Sequence, residues 1–430
     1  MQSIEFPTWA EIDLDNLRAN LLAIRRHIGG RRILLVVKAD AYGHGAVVVA
    51  TEAMRCGIDM LGVATVHEGA QLRRAGIMAP VLVLSPCLRG EVEEIVRYGL
   101  RCTISSPEFL DRLARECELA SVILPVQMEV DTGMGRSGVA PEAVPELIEA
   151  IRGHARLRLE GLYTHFPDAD AADLDLARRQ LERFLALVAS LEAEGRRPEL
   201  LHAANSAGLV NLPAAHLDMV RPGLLAYGLR PGGPAVGATR KAAPPAPATV
   251  PDVTASGAPP VVPVMAFCAR LLQIRDLPRG ASISYGRTFV APRPMRIGVV
   301  AAGYGHGLGL EMSGRGLLLV RGGRVPILGR VTMDMTMVDL TDRPDVQPED
   351  EVIIFGRRGD AMIHLEEVAA WCGTIPYEIM CSIGKRVPRV YVEAGRTVQI
   401  TTLIGERRRR ASDEPAAVPI PAPALRAPGS

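Results

Sequence analysis

The stretch Val36-Val37-Lys38-Ala39-Asp40-Ala41-Tyr42-Gly43-His44-Gly45 decides how this chain is read. An apolar run, Ile33 to Val37, ends abruptly at a lysine and passes into small and turn-forming residues. That pattern describes a buried strand whose C-terminal end presents Lys38 at a strand-to-loop junction. In parallel α/β proteins this edge of the sheet is where chemistry is placed. A lysine leaving an apolar strand is desolvated, so its pKa falls and its amine can act as a nucleophile. A lone strand-ending lysine is more often a solvated charge. Here Tyr42, Gly43 and Gly45 follow at once, and they weigh toward a ligand-holding loop.

Upstream, Trp9-Ala10-Glu11-Ile12-Asp13-Leu14 alternates polar and apolar residues and reads as a first strand. Asp15 reads as the N-cap of a helix through His27, ended by Gly29-Gly30. Eight short apolar runs then alternate with helical patterns: Ile33-Val37, Leu61-Thr65, Val81-Leu84, Arg101-Ile104, Val122-Val130, Leu157-Tyr163, Leu200-Ala204 and Leu217-Arg221. Repeated βα units of this kind predict an α/β architecture. The expectation is an N-terminal (β/α)8 TIM-type barrel over residues 1–230, with an open doubly wound sheet as the alternative. Residues 5–14 are expected to join the second domain. Lys38, Asp131 to Arg136, Thr164-His165, Asn205-Ser206 and Arg221-Pro222-Gly223 all follow predicted strands, on the catalytic face of such a barrel.

Residues 231–263 are rich in Pro, Ala, Gly, Thr and Val and read as a linker without a fold of its own. Residues 264–398 are strand-rich with repeated glycine turns, which predicts a C-terminal all-β domain with one short helix near Leu365-Trp371. Residues 399–430, with the basic run Arg407 to Arg410 and a Pro/Ala-rich end, are expected to be a disordered tail. The net charge is +1, from 49 basic and 48 acidic residues, so nothing favours nucleic acid or a membrane surface as partner. The first residues lack the apolar core of a signal peptide, and no run reaches the length of a membrane span. Seven cysteines without a Cys-x-x-Cys pair suit reduced thiols and a cytoplasmic location.

Taken together the motifs are more specific than any one of them. Lys38 to Gly45 is followed by Asp131-Thr132-Gly133-Met134-Gly135-Arg136, Leu162-Tyr163-Thr164-His165-Phe166, Ala204-Asn205-Ser206 and Val220-Arg221-Pro222-Gly223. Ser284-Tyr285-Gly286, Gly329-Arg330-Val331-Thr332-Met333-Asp334 and Gly373-Thr374-Ile375-Pro376-Tyr377-Glu378 complete the series. In this order, barrel before β domain, the chain resembles the alanine racemases across nearly all of residues 5–391. The resemblance implies pyridoxal 5'-phosphate as cofactor, alanine as substrate, D-alanine for peptidoglycan as the product's use, and a homodimer with shared active sites. It implies no metal. Racemisation needs a base on each face of Cα. By resemblance these are Lys38, which also holds the cofactor, and Tyr285, supplied by the partner subunit.

A tyrosine titrates near pH ~10 and needs activation to act as a base. The resemblance implies a chain in which Arg221 polarises His165 and His165 accepts from the phenol. Arg221 also faces the cofactor's ring nitrogen, and a guanidinium gives up no proton. Tyr42, Ser206, Tyr377 and the backbone of Gly223 and Leu224 suit a phosphate. Arg136 and the backbone N–H of Met333 are the implied substrate contacts. The chain departs from the family at several positions. Glu129 stands where many members have a carbamylated lysine that pairs with the arginine at position 136. His306, Leu308 and Leu310 replace a usual Asp, Tyr and Arg near the substrate's path, and Thr332 replaces a common cysteine. These leave room for a racemase of broader or different amino-acid specificity. A non-catalytic cofactor-binding barrel and a barrel-type decarboxylase are weaker readings, because neither is expected to carry a second base like Tyr285.

Overall fold

The computed structural model describes residues 4–232 and 257–408. Strand β1 (Thr8–Asp13) leads into helix α1 (Leu14–His27). The N-cap is Asp13, whose carboxylate accepts from the Asn16 N–H at 2.9 Å, and not Asp15, which sits in the first helical turn. Gly29 and Gly30 end the helix with φ of 62° and 84°, a backbone that favours glycine.

The barrel strands follow: β2 (Arg32–Val36), β3 (Met60–Val63), β4 (Val81–Pro86), β5 (Arg101–Ile104), β6 (Leu124–Glu129), β7 (Leu157–Tyr163), β8 (Leu200–His202) and β9 (Met219–Val220). They pair in parallel and in chain order, and β9 returns beside β2 with Arg32 opposite Met219. Closure between β8 and β9 is carried by two backbone bonds, Asp218 N–H to Leu201 O (3.0 Å) and Arg221 N–H to Ala204 O (2.8 Å). The sheet is therefore a closed eight-stranded barrel, and the doubly wound alternative falls away. The crossover helices follow the apolar spacing. In Pro107–Leu119, Ser106 caps the Phe109 N–H, proline takes the first turn, and Phe109, Leu110, Leu113, Ala114 and Cys117 are buried.

The first strand does not belong to the barrel. β1 lies antiparallel to β10 (Met265–Leu277), with Trp9 opposite Cys268, and parallel to Arg389–Glu393, with Ala10 opposite Arg389. All three belong to an eleven-stranded sheet that forms the separate C-terminal β domain. That domain holds two short helices where one was expected, Leu365–Cys372 and Pro376–Ser382, and the second brings Tyr377 to the barrel.

Two boundaries move. Residues 399–408, read above as tail, continue the sheet: Arg396–Thr402 and Gly405–Arg408 form a hairpin with Gln399 opposite Arg408. From Arg396 to Glu406 the side chains are half-buried or exposed, so backbone pairing makes the strands and apolar content gives little sign of them. The end of the presumed linker is also pinned. Val262 donates its N–H to Asn20 Oδ1 and accepts from Asn20 Nδ2, each at 2.8 Å. The rest of the linker reading, residues 233–256, and residues 409–430 lie outside the described residues. All seven cysteines are free thiols. No helix among the described residues is long and apolar enough to cross a membrane.

Candidate active site

Lys38 leaves β2 into a turn of unusual hand. Ala39, Asp40, Ala41 and Tyr42 have φ of 52°, 55°, 54° and 50°. The left-handed region costs a non-glycine residue about 1–2 kcal/mol, so the surroundings must hold the turn. Asp40 Oδ1 accepts from the Ala46 N–H (2.8 Å), and His44 Nδ1 donates to the carbonyls of Ala41 (2.9 Å) and Tyr42 (3.0 Å). Arg389, from the β domain, donates to the Gly43 carbonyl at 2.9 Å. His44 is fully buried, and that burial takes its pKa down to about 4, so it stays neutral. The turn aims Lys38 and Tyr42 into one cavity at the C-terminal ends of the barrel strands.

That cavity measures about 580 Å³, and Lys38, Tyr42, His165, Ser206, Arg221 and Tyr377 line it with Arg136, Gly223 and Leu224. Burial lowers the Lys38 pKa, and the nearby Arg136 charge lowers it further, so the neutral amine is more accessible than in a solvated lysine. Gly223 is needed where it stands, because a Cβ there would lie 2.6 Å from the Tyr42 hydroxyl. Ser206 Oγ accepts from the N–H groups of Gly223 (3.0 Å) and Leu225 (3.2 Å), which ties the β9 loop to the β8 loop. The rings of Tyr42 and Tyr377 meet edge-on at 5.7 Å. Burial raises the pKa of both, that of Tyr377 to about 12, so each presents an O–H donor.

Arg221, 3 % exposed, forms the floor. It donates from Nη1 to His202 Nδ1 (2.8 Å) and from Nη2 to the carbonyls of Thr164 (2.7 Å) and Ala203 (3.0 Å). Burial takes its pKa down to about 10, which still leaves it charged at neutral pH. Nη2 also meets His165 Nδ1 at 3.2 Å. A guanidinium can only donate, so Nδ1 of His165 is the bare nitrogen and Nε2 carries the proton. Burial, with Arg221 and Arg136 nearby, lowers the His165 pKa well below the ordinary value and keeps the ring neutral. This corrects the direction expected for the chain: Nε2 of His165 offers a proton outward and cannot accept from a phenol.

Arg136 reaches the cavity from a turn built on Asp131, whose Oδ1 accepts from the N–H groups of Gly133 (2.9 Å), Met134 (2.8 Å) and Gly135 (3.2 Å). Glu129 does not face solvent. It is 2 % exposed, lies 3.6 Å from Arg136 Nη2 as an ion pair, and accepts a hydrogen bond from Ser137 Oγ at 2.7 Å.

Two candidates stand apart. Tyr285 and Met333 belong to the β domain, are 71 % and 52 % exposed, and do not line the Lys38 cavity. Of the three departures near the expected substrate path, His306 and Leu308 are buried (9 % and 1 % exposed) and only Leu310, at 40 %, reaches the surface. Sequence reading passed over Tyr163, Cys381 and Ile375 on the cavity wall, and His202 beneath it. His202 could have been found, since it interrupts the apolar run Leu200 to Ala204.

A closed βα barrel with a desolvated amine at its first strand end, a guanidinium floor and an appended β domain defines a two-domain barrel enzyme. Two family models match it, "Alanine racemase, N-terminal domain" over residues 12–231 and "Alanine racemase, C-terminal domain" over residues 264–391. The chain belongs to the alanine racemase family and is an isomerase of that kind. It is 42 % identical over 385 residues to the alanine racemase of Symbiobacterium thermophilum, covering 90 % of this chain and 97 % of that one. To the enzyme of Desulfosudis oleivorans it is 40 % identical over 398 residues, again with 90 % and 97 % covered. Among solved structures, the alanine racemase of Clostridium difficile 630 superposes with a TM-score of 0.84 at 32 % identity, covering 93 % of this chain and 99 % of that one. The enzyme of Bacillus anthracis, solved with bound L-Ala-P, gives 0.82 at 32 % identity, with 94 % and 99 % covered.

Proposed function

We propose that this protein interconverts L- and D-alanine with pyridoxal 5'-phosphate held on Lys38, as a homodimer with shared sites in the cytoplasm, and that its D-alanine serves peptidoglycan synthesis. One observation carries the reading. A desolvated amine, a charged arginine floor and a cluster of hydroxyl donors converge in one cavity, while Tyr285 stands exposed outside it. Tyr285 of the same chain does not line this cavity, and a second copy would bring its own.

The donor set fits the cofactor. Tyr42 and Tyr377 offer O–H groups, and the Gly223 loop, which cannot tolerate a Cβ beside Tyr42, brings backbone close to them. That cradle suits a phosphate dianion without a lysine. When bound, the cofactor supplies an electron sink that makes the Cα proton of the amino acid removable. Lys38 would hold it, and its amine would serve as base on one face. Arg221 stays charged and would face the ring nitrogen as a donor that does not protonate it. Arg136, steadied by Glu129, takes the substrate carboxylate together with the Met333 N–H. The partner's copy of the Tyr285 hydroxyl acts on the other face. His165, with its proton on Nε2, donates to the tyrosine oxygen and so favours the deprotonated form that a base requires.

The test is complementation. Lys38→Ala and Tyr285→Phe proteins are each purified, shown inactive for alanine racemisation, then unfolded and refolded together. With two-fold shared sites, half of the dimers are mixed and each has one intact site, so about a quarter of wild-type activity returns. No recovery from a mixture of folded, exchanged subunits would refute the shared site.

A further inference from the structure

Beneath the cavity floor a line of buried polar side chains runs down through the barrel. Arg221 Nη1 donates to His202 Nδ1 (2.8 Å), and His202 Nε2 meets Gln127 Oε1 (2.8 Å). Gln127 Nε2 donates to Glu160 Oε2 (3.1 Å), and Arg101 closes the line with Nε and Nη2 on Glu160 at 2.7 and 2.9 Å. His202 is the last residue of β8, Gln127 and Glu160 lie within β6 and β7, and Arg101 is the first residue of β5. The line therefore connects the catalytic end of the barrel to the opposite end. His202 and Gln127 are 0 % exposed, and Glu160 is 5 % exposed.

Every proton in this line has one place to be. The guanidinium only donates, so His202 Nδ1 is bare and Nε2 carries the hydrogen. That N–H needs an acceptor, and Gln127 Oε1 provides it. With its oxygen so placed, the Gln127 amide must turn its NH₂ to Glu160. Burial opposes ionisation of Glu160, but Arg101's hydrogen bonds and charge, with Gln127 and Arg158, bring its pKa below the ordinary value. It therefore stands as an anion that accepts. The barrel makes room for the amide at Gly161, where a Cβ would lie 3.1 Å from Gln127 Cδ. None of this line below Arg221 touches the cavity.

We propose that Gln127 and Glu160 are positioning residues for Arg221: they hold the Nε2–H of His202, so its bare Nδ1 anchors one edge of the guanidinium and leaves another free to face the cofactor. The role given to Arg221 rests on the functional reading above; the lock on His202 does not. Without the Gln127 oxygen, the Nε2–H is orphaned in a dry interior. Moving the proton to Nδ1 would set N–H against the Arg221 N–H, so the ring relieves itself by turning its Nε2–H toward another acceptor, and Arg221 loses its anchor.

The test labels histidine with ¹⁵N and reads the His202 ring nitrogens, assigned with His202→Gln, in wild type, Gln127→Leu, Gln127→Glu and Glu160→Gln. Wild type shows a protonated Nε2 and a bare Nδ1. Gln127→Leu moves the Nδ1 resonance toward that of a bare nitrogen with no donor, and kcat for racemisation falls about 10- to 100-fold with KM little changed, the scale on which misplacing a group acts from afar. Gln127→Glu, protonated so that its carbonyl oxygen accepts from Nε2–H and its hydroxyl donates to Glu160, recovers the wild-type Nδ1 resonance and most of the lost kcat. Glu160→Gln, whose amide oxygen still accepts, shows a smaller effect of the same sign, and it carries the test should Gln127→Leu not fold. A folded Gln127→Leu whose Nδ1 resonance does not move overturns the proposal. So does a moved resonance with unchanged kcat. Should wild type racemise nothing, the functional reading fails, and the Nδ1 measurement still decides whether Gln127 holds His202.

Discussion

The mouth of the barrel and the tip of the β domain carry the two proposed bases in opposite settings. Lys38 leaves a buried strand, is followed by four left-handed residues, and faces a cavity walled by buried arginine, histidine and tyrosine. Tyr285 sits in a glycine turn, 71 % exposed, with Ser284 Oγ donating to the Arg330 carbonyl beside it. One base is prepared entirely by its own chain, through desolvation and a turn clamped from three sides. The other has its position prepared but not its environment, which a second subunit would supply. A site divided this way separates the two halves of a symmetrical reaction between two chemically different surroundings.

The most direct way to break the comparison is to remove each base. Lys38→Ala is expected to abolish both racemisation and borohydride-trapped cofactor labelling, and labelling that persists elsewhere would dismiss Lys38. Tyr285→Phe should keep the cofactor but lose Cα proton exchange mainly with L-alanine, by about 10²- to 10⁴-fold, the range of a positioned acid–base group. Equal loss with both hands would argue for one base.

The barrel side can next be tested through its clamp. His44 has a folded pKa near 4 against 6.5 unfolded. Between those values the unfolded chain binds a proton that the folded chain does not. Stability from this group is thus intact above pH ~6.5 and declines as pH falls toward ~4, by about 3 kcal/mol in all. Chemical denaturation across that window should show the slope, and His44→Gln, less stable throughout, should flatten it. An identical slope in the variant would mean that other groups, the lowered His165 and His202 among them, carry the dependence.

Smaller effects sharpen the picture of the barrel side. Glu129→Gln should weaken alanine binding or turnover by about 1–3 kcal/mol, as Arg136 loses its charged neighbour. Wild-type activity should not respond to bicarbonate, since a permanent carboxylate needs no carbon dioxide. Unchanged kinetics in the variant would leave Arg136 positioned by its turn alone. The smallest effect is expected between the domains. Replacing residues 233–256 with a short Gly/Ser connector should leave melting temperature and activity nearly unchanged, because closure entropy varies weakly with length. The replacement stops short of Val262, which Asn20 holds.

Much of the barrel could be read from local pattern. Apolar runs followed by polar or turn residues located the eight strands, because burial on both faces of a parallel strand writes itself into consecutive residues. Their ends in turn located Lys38, Arg136, His165, Ser206 and Arg221. Contacts between distant residues were beyond that pattern. The left-handed turn falls on Ala39 to Tyr42, residue types that do not announce it, and is held by Arg389 from the other domain. The strands of residues 399–408 are made by backbone pairing and have little apolar content. The protonated nitrogen of His165 is fixed by Arg221, and that of His202 by Arg221 and by Gln127, 75 residues away in the chain. Sequence alone determined which groups were available and at which end of the barrel they stood. Only the tertiary structure decided which way each hydrogen points, because that direction depends on whether the facing group can donate or can only accept.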